Sequence, residues 1–272
     1  MTTDPATDQD EKLLETWRSW LEDIRGEVAD LLFRRYVFQE VDAIVAANPL
    51  VQKPSHFYDL VSDSYVAIQL MAIRRQLDTD ERCQSLARIV QGMEKNPGVL
   101  TRKRFVQGYP PSAPRGSVPR REGVPSKGGE PLKRLLDSPG DYDFDAWAGA
   151  GADCFPPERA KAVFDELKEK TERVRAWIDR RLAHHDRREP SSPTVADLDA
   201  AIEALREATE KVYLLLRQTS IDLEPADAAP EWRDIFTVAW ITPDADAAGP
   251  RGQPEGGDGS TNGSGSDRPV AT

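Results

Sequence analysis

The chain is poor in the residues that carry most redox and metal chemistry. It has two cysteines and three histidines among 272 residues. Cys83 and Cys154 lie far apart, with no Cys-x-x-Cys pair and no Cys/His zinc spacing. Two reduced thiols are therefore expected, rather than a disulfide framework or a structural metal. No HExxH, P-loop, GxGxxG or GxSxG pattern occurs, so no motif calls for a cofactor or a nucleophile–base pair. Apolar runs stay well short of the roughly 20 residues that a membrane span needs. The acidic start of the chain has no apolar core of the kind a signal peptide carries. The expectation is a cytoplasmic protein without a membrane partner.

What is present is polar and acidic. Charged residues make up 31% and hydrophobic ones 39%, the net charge is −11, and the mean hydropathy is −0.59. Such a chain is not a general binder of nucleic acid, and part of it is expected not to pack. Residues 1–9 read as a polar tail, 10–241 as one helical domain, and 242–272, rich in Gly, Asp, Pro, Ser and Thr, as a disordered tail.

Helical periodicity dominates the domain. Leu13, Trp17, Trp20, Ile24, Val28, Leu31 and Leu32 recur every one, three or four residues. This predicts a long first helix from Asp10 to Pro49, with a possible kink near Gly26. A second helix is expected from Pro54-Ser55 to Arg74-Arg75. A third, capped by Asp78 or Thr79 and holding Cys83, should end at Asn96-Pro97-Gly98. Pro156-Pro157-Glu158 opens a fourth, with proline in the first turn. Thr194-Val195-Ala196-Asp197 resembles a capping box and opens a fifth. Trp232, Ile235, Phe236, Val238 and Trp240 suggest a short terminal element that packs back. No strand pair is evident, so the fold class is all-α, a bundle of about five helices.

Residues 102–134 break this pattern with six prolines and carry nine basic residues against two acidic ones. The expectation is a flexible insertion. It is either a solvated linker or an arm for phosphate backbones, with Arg102, Lys103, Arg104, Arg120 and Arg121 as RNA-contact candidates. Residues 135–155 read as irregular. Asp141, Asp143 and Asp145 read as a solvated acidic turn, since the other ligands of a calcium loop are missing. His56 reads as a surface residue at a helix start.

Chemistry concentrates at one place. Ile178-Asp179-Arg180-Arg181-Leu182-Ala183-His184-His185-Asp186 holds two of the three histidines at the end of the fourth helix. Basic residues are favoured in any last helical turn, where they complement the dipole, so a purely structural role is one reading. The other is a site. A histidine moves protons near neutral pH, arginine binds phosphate and stabilises charge on it, and Asp186 orients an imidazole. That set suits RNA cleavage without a metal.

The segment Asp179–Asp186 resembles the HEPN superfamily, in particular its abortive-infection U type, through a pattern close to N-x-x-x-A-H-x-D. An upstream stretch adds to the likeness: Tyr65, then Ile73-Arg74-Arg75-Gln76-Leu77-Asp78, then Ser85-Leu86-Ala87-Arg88-Ile89. The resemblance spans about residues 10–220. It implies a helical bundle, often a homodimer, in which the Arg and His motifs of two protomers meet. It also implies a phage-defence or toxin-type role, as a metal-independent ribonuclease or as an inactive module that binds RNA, an antitoxin or another defence protein. The nuclease pattern sets an arginine, then four to six intervening residues, then its histidine. Arg180 has that spacing from His185. Counted from His184, the positions fall on Asp179, Ile178 and Trp177, so either Arg180 works with His185 or the arginine is lost at Ile178. The candidate catalytic set is Arg180, His184, His185 and Asp186, with Arg181 as a further RNA contact.

Overall fold

A computed structural model describes residues 5–48, 56–109, 139–182, 193–223 and 230–237. Two compact units divide the chain, residues 1–228 and 229–272. Among the described residues of the first unit there are seven α-helices and no sheet. They are α1 (Pro5–Ala47), α2 (His56–Gln76), α3 (Leu86–Lys95), α4 (Arg102–Gly108), α5 (Pro139–Ala148), α6 (Pro157–Trp177) and α7 (Val195–Arg217). A 3₁₀ turn, Pro97–Val99, follows α3, and a π-helical turn, Ile178–Leu182, continues α6. The fold is all-α, as the periodicity implied, and no described helix is long and apolar enough to cross a membrane.

The core follows the apolar stripes. Leu14, Trp17, Leu21, Ile24, Val28, Leu31 and Leu32 of α1 are all buried, at the spacing that puts them on one face. Helix α7 lies along this face and buries Leu198, Ile202, Leu205, Val212, Leu215 and Leu216. Helix α6 packs on α7 and on α3 and buries Leu167, Val174 and Ile178. At one close contact, a Cβ on Gly92 of α3 would sit 2.6 Å from the Trp17 ring, so only glycine lets α3 lie this near α1.

The helix starts obey local chemistry. Thr194 and Asp197 form a capping box, each side chain bonded to the other's backbone N–H. Helix α6 begins with Pro157 in its first turn. The third helix starts later than expected. Ser85, not Asp78 or Thr79, is its N-cap, accepting from the Arg88 N–H at 3.1 Å. Its hydroxyl also donates to the Asp78 carbonyl at 2.5 Å, which fixes the loop before it, and Cys83 lies in that loop. Ser85 is fully buried, so its two bonds satisfy a group that burial would otherwise penalise.

The early boundaries also differ. Helix α1 is one 43-residue helix that starts at Pro5, ahead of the expected Asp10. Residues expected to be loop form α4 and α5, and these two helices hold each other. The Arg102 guanidinium donates to Asp141 at 3.0 Å and to Asp145 at 2.5 Å. Tyr109 Oη donates to Asp143 at 2.5 Å. Asp143 is buried, and burial pushes its carboxyl above the ordinary range while the Tyr109 bond opposes this. The three aspartates are therefore a helical clasp rather than a solvated turn. Between α4 and α5 lie residues 110–138, outside the described residues.

In the second unit, Pro230–Phe236 is a 3₁₀ helix. Trp232 meets Phe236 edge-on at 6.3 Å, and the Arg233 guanidinium lies 5.3 Å from the Trp232 ring.

Candidate RNA site at the end of α6

The two parts of the sequence resemblance meet in space. Helix α2 ends at Arg74-Arg75-Gln76, and α6 widens into the π turn where Asp179-Arg180 stand. Arg74 Nε lies 3.4 Å from Asp179 Oδ1. One residue earlier on each strand of this contact, Ile73 and Ile178 are both fully buried. Both belong to the buried core of the bundle, and the ion pair is half exposed. A π turn inserts an extra residue into the helical register and is common at functional sites. Within this turn Ile178 stays in the core while the next two residues, Asp179 and Arg180, rotate to the surface.

The end of α2 is held from behind by a polar chain. Glu27 of α1 accepts from Gln76 Nε2 at 2.7 Å and from Arg75 Nε at 3.4 Å. Gln76 is buried, and its Oε1 accepts the Leu86 N–H at 3.2 Å. One glutamine thus ties the middle of α1, the end of α2 and the start of α3 together. The Arg-Arg helix end followed by a Ser-Leu helix is a structural splice, and it sets the platform on which Arg74 meets the π turn.

The candidates fall as follows. Arg180 is exposed. Arg181 lies within the π turn, with its side chain outside what is described. His184, His185 and Asp186 lie outside the described residues, as do Arg120 and Arg121. Of the basic residues at the start of the expected arm, Lys103 is exposed. Arg102 is taken up by Asp141, Asp145 and the Ala152 carbonyl at 2.8 Å. Arg104 donates to the carbonyls of Gly98 and Val99, both at 3.1 Å, and faces Asp10 and Glu11. These two guanidinium groups hold the fold. His56 is exposed at the start of α2, as read from the sequence. Sequence reasoning missed Arg74 and Asp179 as partners, although both belonged to the quoted motifs.

The model of the AbiU2 family of HEPN proteins matches residues 14–234. The chain belongs to that family. The match takes in α1 from Leu14 onward, the Arg-Arg end of α2 and the π turn, so the AbiU2 assignment rests on most of the described bundle. This is an HEPN protein of the abortive-infection type. No curated protein and no solved structure matches the chain.

Proposed function

We propose that this AbiU2 protein cuts RNA without a metal, at a site built on the π turn and completed between two copies of the chain. Arg180 binds and stabilises the scissile phosphate. His185, five residues on, or its neighbour His184, moves the proton, and Asp186 orients the imidazole. The observation that carries this reading is the contrast between Ile178 and Arg180. Ile178 is fully buried, so an arginine there would point into the core. Arg180 is exposed, makes no ion pair among the described residues, and has the family's spacing from His185.

The chemistry asks little of the protein. A neutral imidazole takes the proton of the ribose 2′-hydroxyl, and the O2′–P bond forms as the P–O5′ bond breaks. The departing 5′-oxygen takes up a proton. The products are a 2′,3′-cyclic phosphate and a 5′-hydroxyl. Arg180 stabilises the extra negative charge on the phosphoryl oxygens in between. Lys103, Arg120, Arg121 and Arg181 supply phosphate contacts along the strand, a contribution that weakens as salt rises. The role in the cell is phage defence or toxin action in the cytoplasm, restrained by a partner protein.

Labelled RNA incubated with the protein in excess chelator tests the chemistry. Fragments ending in a 2′,3′-cyclic phosphate are expected. Intact RNA across several pools, with a well-folded protein, would leave a binding module that keeps the fold and has lost the reaction.

A further inference from the structure

Arg88 is the charged residue of the Ser85-Leu86-Ala87-Arg88-Ile89 stretch, and the fold gives its side chain nothing to bind. It stands half-buried in the first turn of α3. Its backbone N–H goes to the Ser85 hydroxyl. Its guanidinium makes no hydrogen bond or ion pair among the described residues, and its Nε is buried without a partner. The arginines that hold this fold are bonded differently. Arg102 spends its donors on Asp141, Asp145 and the Ala152 carbonyl. A buried donor left unbonded is costly, so an arginine in that state calls for an acceptor from outside the bundle.

Its place in the fold says which acceptor. Helix α3 packs along α6, and Glu94 near the end of α3 acts on Lys161 near the start of α6. The two helices therefore run in opposite directions, and the first turn of α3 lies toward the π turn. Gln76 joins that first turn to the end of α2 through the Leu86 N–H. Arg74, two residues before Gln76, meets Asp179 of the π turn. The end of α2, the start of α3 and the π turn thus share one end of the bundle. Several basic groups there are already paired. Arg74 faces Asp179 and Arg75 faces Glu27. Arg82 holds Asp80 through Nε at 2.9 Å and Nη2 at 2.8 Å, although Asp80 is near enough to feel the Arg88 charge as well. Arg88 and Arg180 are left without a carboxylate among the described residues, on two elements that the end of α2 joins. Two unpaired guanidinium groups in a chain of net charge −11 suit a ligand with repeated phosphates.

We infer that Arg88 is a second phosphate-binding residue of the RNA site, holding a backbone phosphate away from the bond that is cut. It rests on the proposed RNA site for the identity of the ligand. Arg180 takes the scissile phosphate, and Arg88 takes another phosphate of the same strand. Arg88 touches RNA but not the reacting atoms, so it sets affinity and the length of strand that binds. An RNA with a single phosphodiester fills the Arg180 position alone.

Binding of a 2′-O-methyl RNA strand of about a dozen nucleotides to the full chain tests it, because the blocked 2′-oxygen leaves the strand uncut. Arg88→Gln keeps much of the stem and removes the charge. Its Kd is expected to rise about tenfold or more, the range for a hydrogen bond to a charged group. The slope of log Kd against log salt is expected to fall by about 0.7, the value for one phosphate contact on a single strand. Arg88→Lys restores the charge and should recover most of the affinity and the slope. Lys12→Ala, which loses one charge at the start of α1, should change neither. Arg88 bonds nothing in the fold, so Arg88→Gln is expected to unfold at the urea concentration of the wild type. Wild-type affinity and slope in Arg88→Gln, an affinity loss that Arg88→Lys shares in full, or an Arg88→Gln chain that does not fold would overturn the inference. The two proposals fail separately. Arg88-dependent binding by a wild type that cuts no RNA removes only the nuclease. RNA cut by the wild type, with binding unchanged in Arg88→Gln, removes only this contact.

Discussion

Arg74 and Asp179 meet across the end of α2 and the π turn of α6, Nε to Oδ1 at 3.4 Å. Both side chains are about half exposed, and an exposed pair of this kind contributes about 0–1 kcal/mol. Its weight lies in placement. It fixes the turn that carries Arg180 against the end of a helix held from behind by Glu27 and Gln76. Asp179→Asn is expected to change stability by less than about 1 kcal/mol, while lowering RNA cleavage more than that loss explains. Chemical denaturation beside a cleavage assay separates the two. Cleavage unchanged in Asp179→Asn would remove the positioning role.

The π turn separates a core residue from a surface one two positions later. Ile178→Arg would bury an unpaired guanidinium and should cost at least about 3 kcal/mol or prevent folding. Arg180→Ala, at an exposed position, should stay within about 0.5 kcal/mol of wild type. Thermal melts of the two variants check this. A stable Ile178→Arg protein would reopen position 178 as a place for the phosphate-binding arginine.

The clasp between α4 and α5 has a pH signature. Burial raises the Asp143 carboxyl above its ordinary value, so the fold favours its protonated form. That contribution is full below the ordinary aspartate range and is lost as pH rises through the raised folded value. Asp143→Asn is expected to remove this part of the pH dependence on the acid side of neutral. Tyr109→Phe takes away the one described donor to a buried carboxylate and should cost about 1–3 kcal/mol at neutral pH. Stability curves by urea unfolding at several pH values test both. An unchanged acid limb in Asp143→Asn would show that the carboxyl titrates normally.

Gly92 is the tight point between α1 and α3. Alanine usually stabilises a helix interior relative to glycine, by about 1 kcal/mol. Here its Cβ would lie 2.6 Å from Trp17 Cζ2, and the ring is buried. Gly92→Ala should therefore destabilise, by about 1–3 kcal/mol from overpacking. A stabilised variant in a thermal melt would mean that Trp17 has room to move.

How much of this was readable beforehand follows from the range of each cause. The capping box at Thr194 and Asp197 and the first-turn proline of α6 are local, and both start their helices where the sequence placed them. The α1, α6 and α7 stripes repeat over many turns, so their buried faces were legible. Asp78 and Thr79 looked like caps because residue type alone does not separate a cap from a loop. Ser85 takes the role because its hydroxyl accepts the Arg88 N–H, and its bond to the Asp78 carbonyl holds it in place to do so. Helices α4 and α5 are short and carry little periodicity. They are held by Arg102 and Tyr109 reaching three aspartates across a gap of some thirty residues, and no short window of sequence contains that. The same holds for the site. Its arginines were visible as a motif, but that Arg74 meets Asp179, and that Ile178 turns inward while Arg180 turns out, depends on how α2 crosses α6.

The most direct measurement is cleavage of RNA in EDTA by wild type, Arg180→Ala, His184→Ala and His185→Ala, each checked for folding by circular dichroism. The expected result is metal-independent cleavage by wild type, lost in Arg180→Ala and in His185→Ala, with His184→Ala retaining the larger share of activity. Cleavage that survives Arg180→Ala undiminished, or that is absent from folded, dimeric wild type, would contradict the assignment of the π turn as a working RNA site.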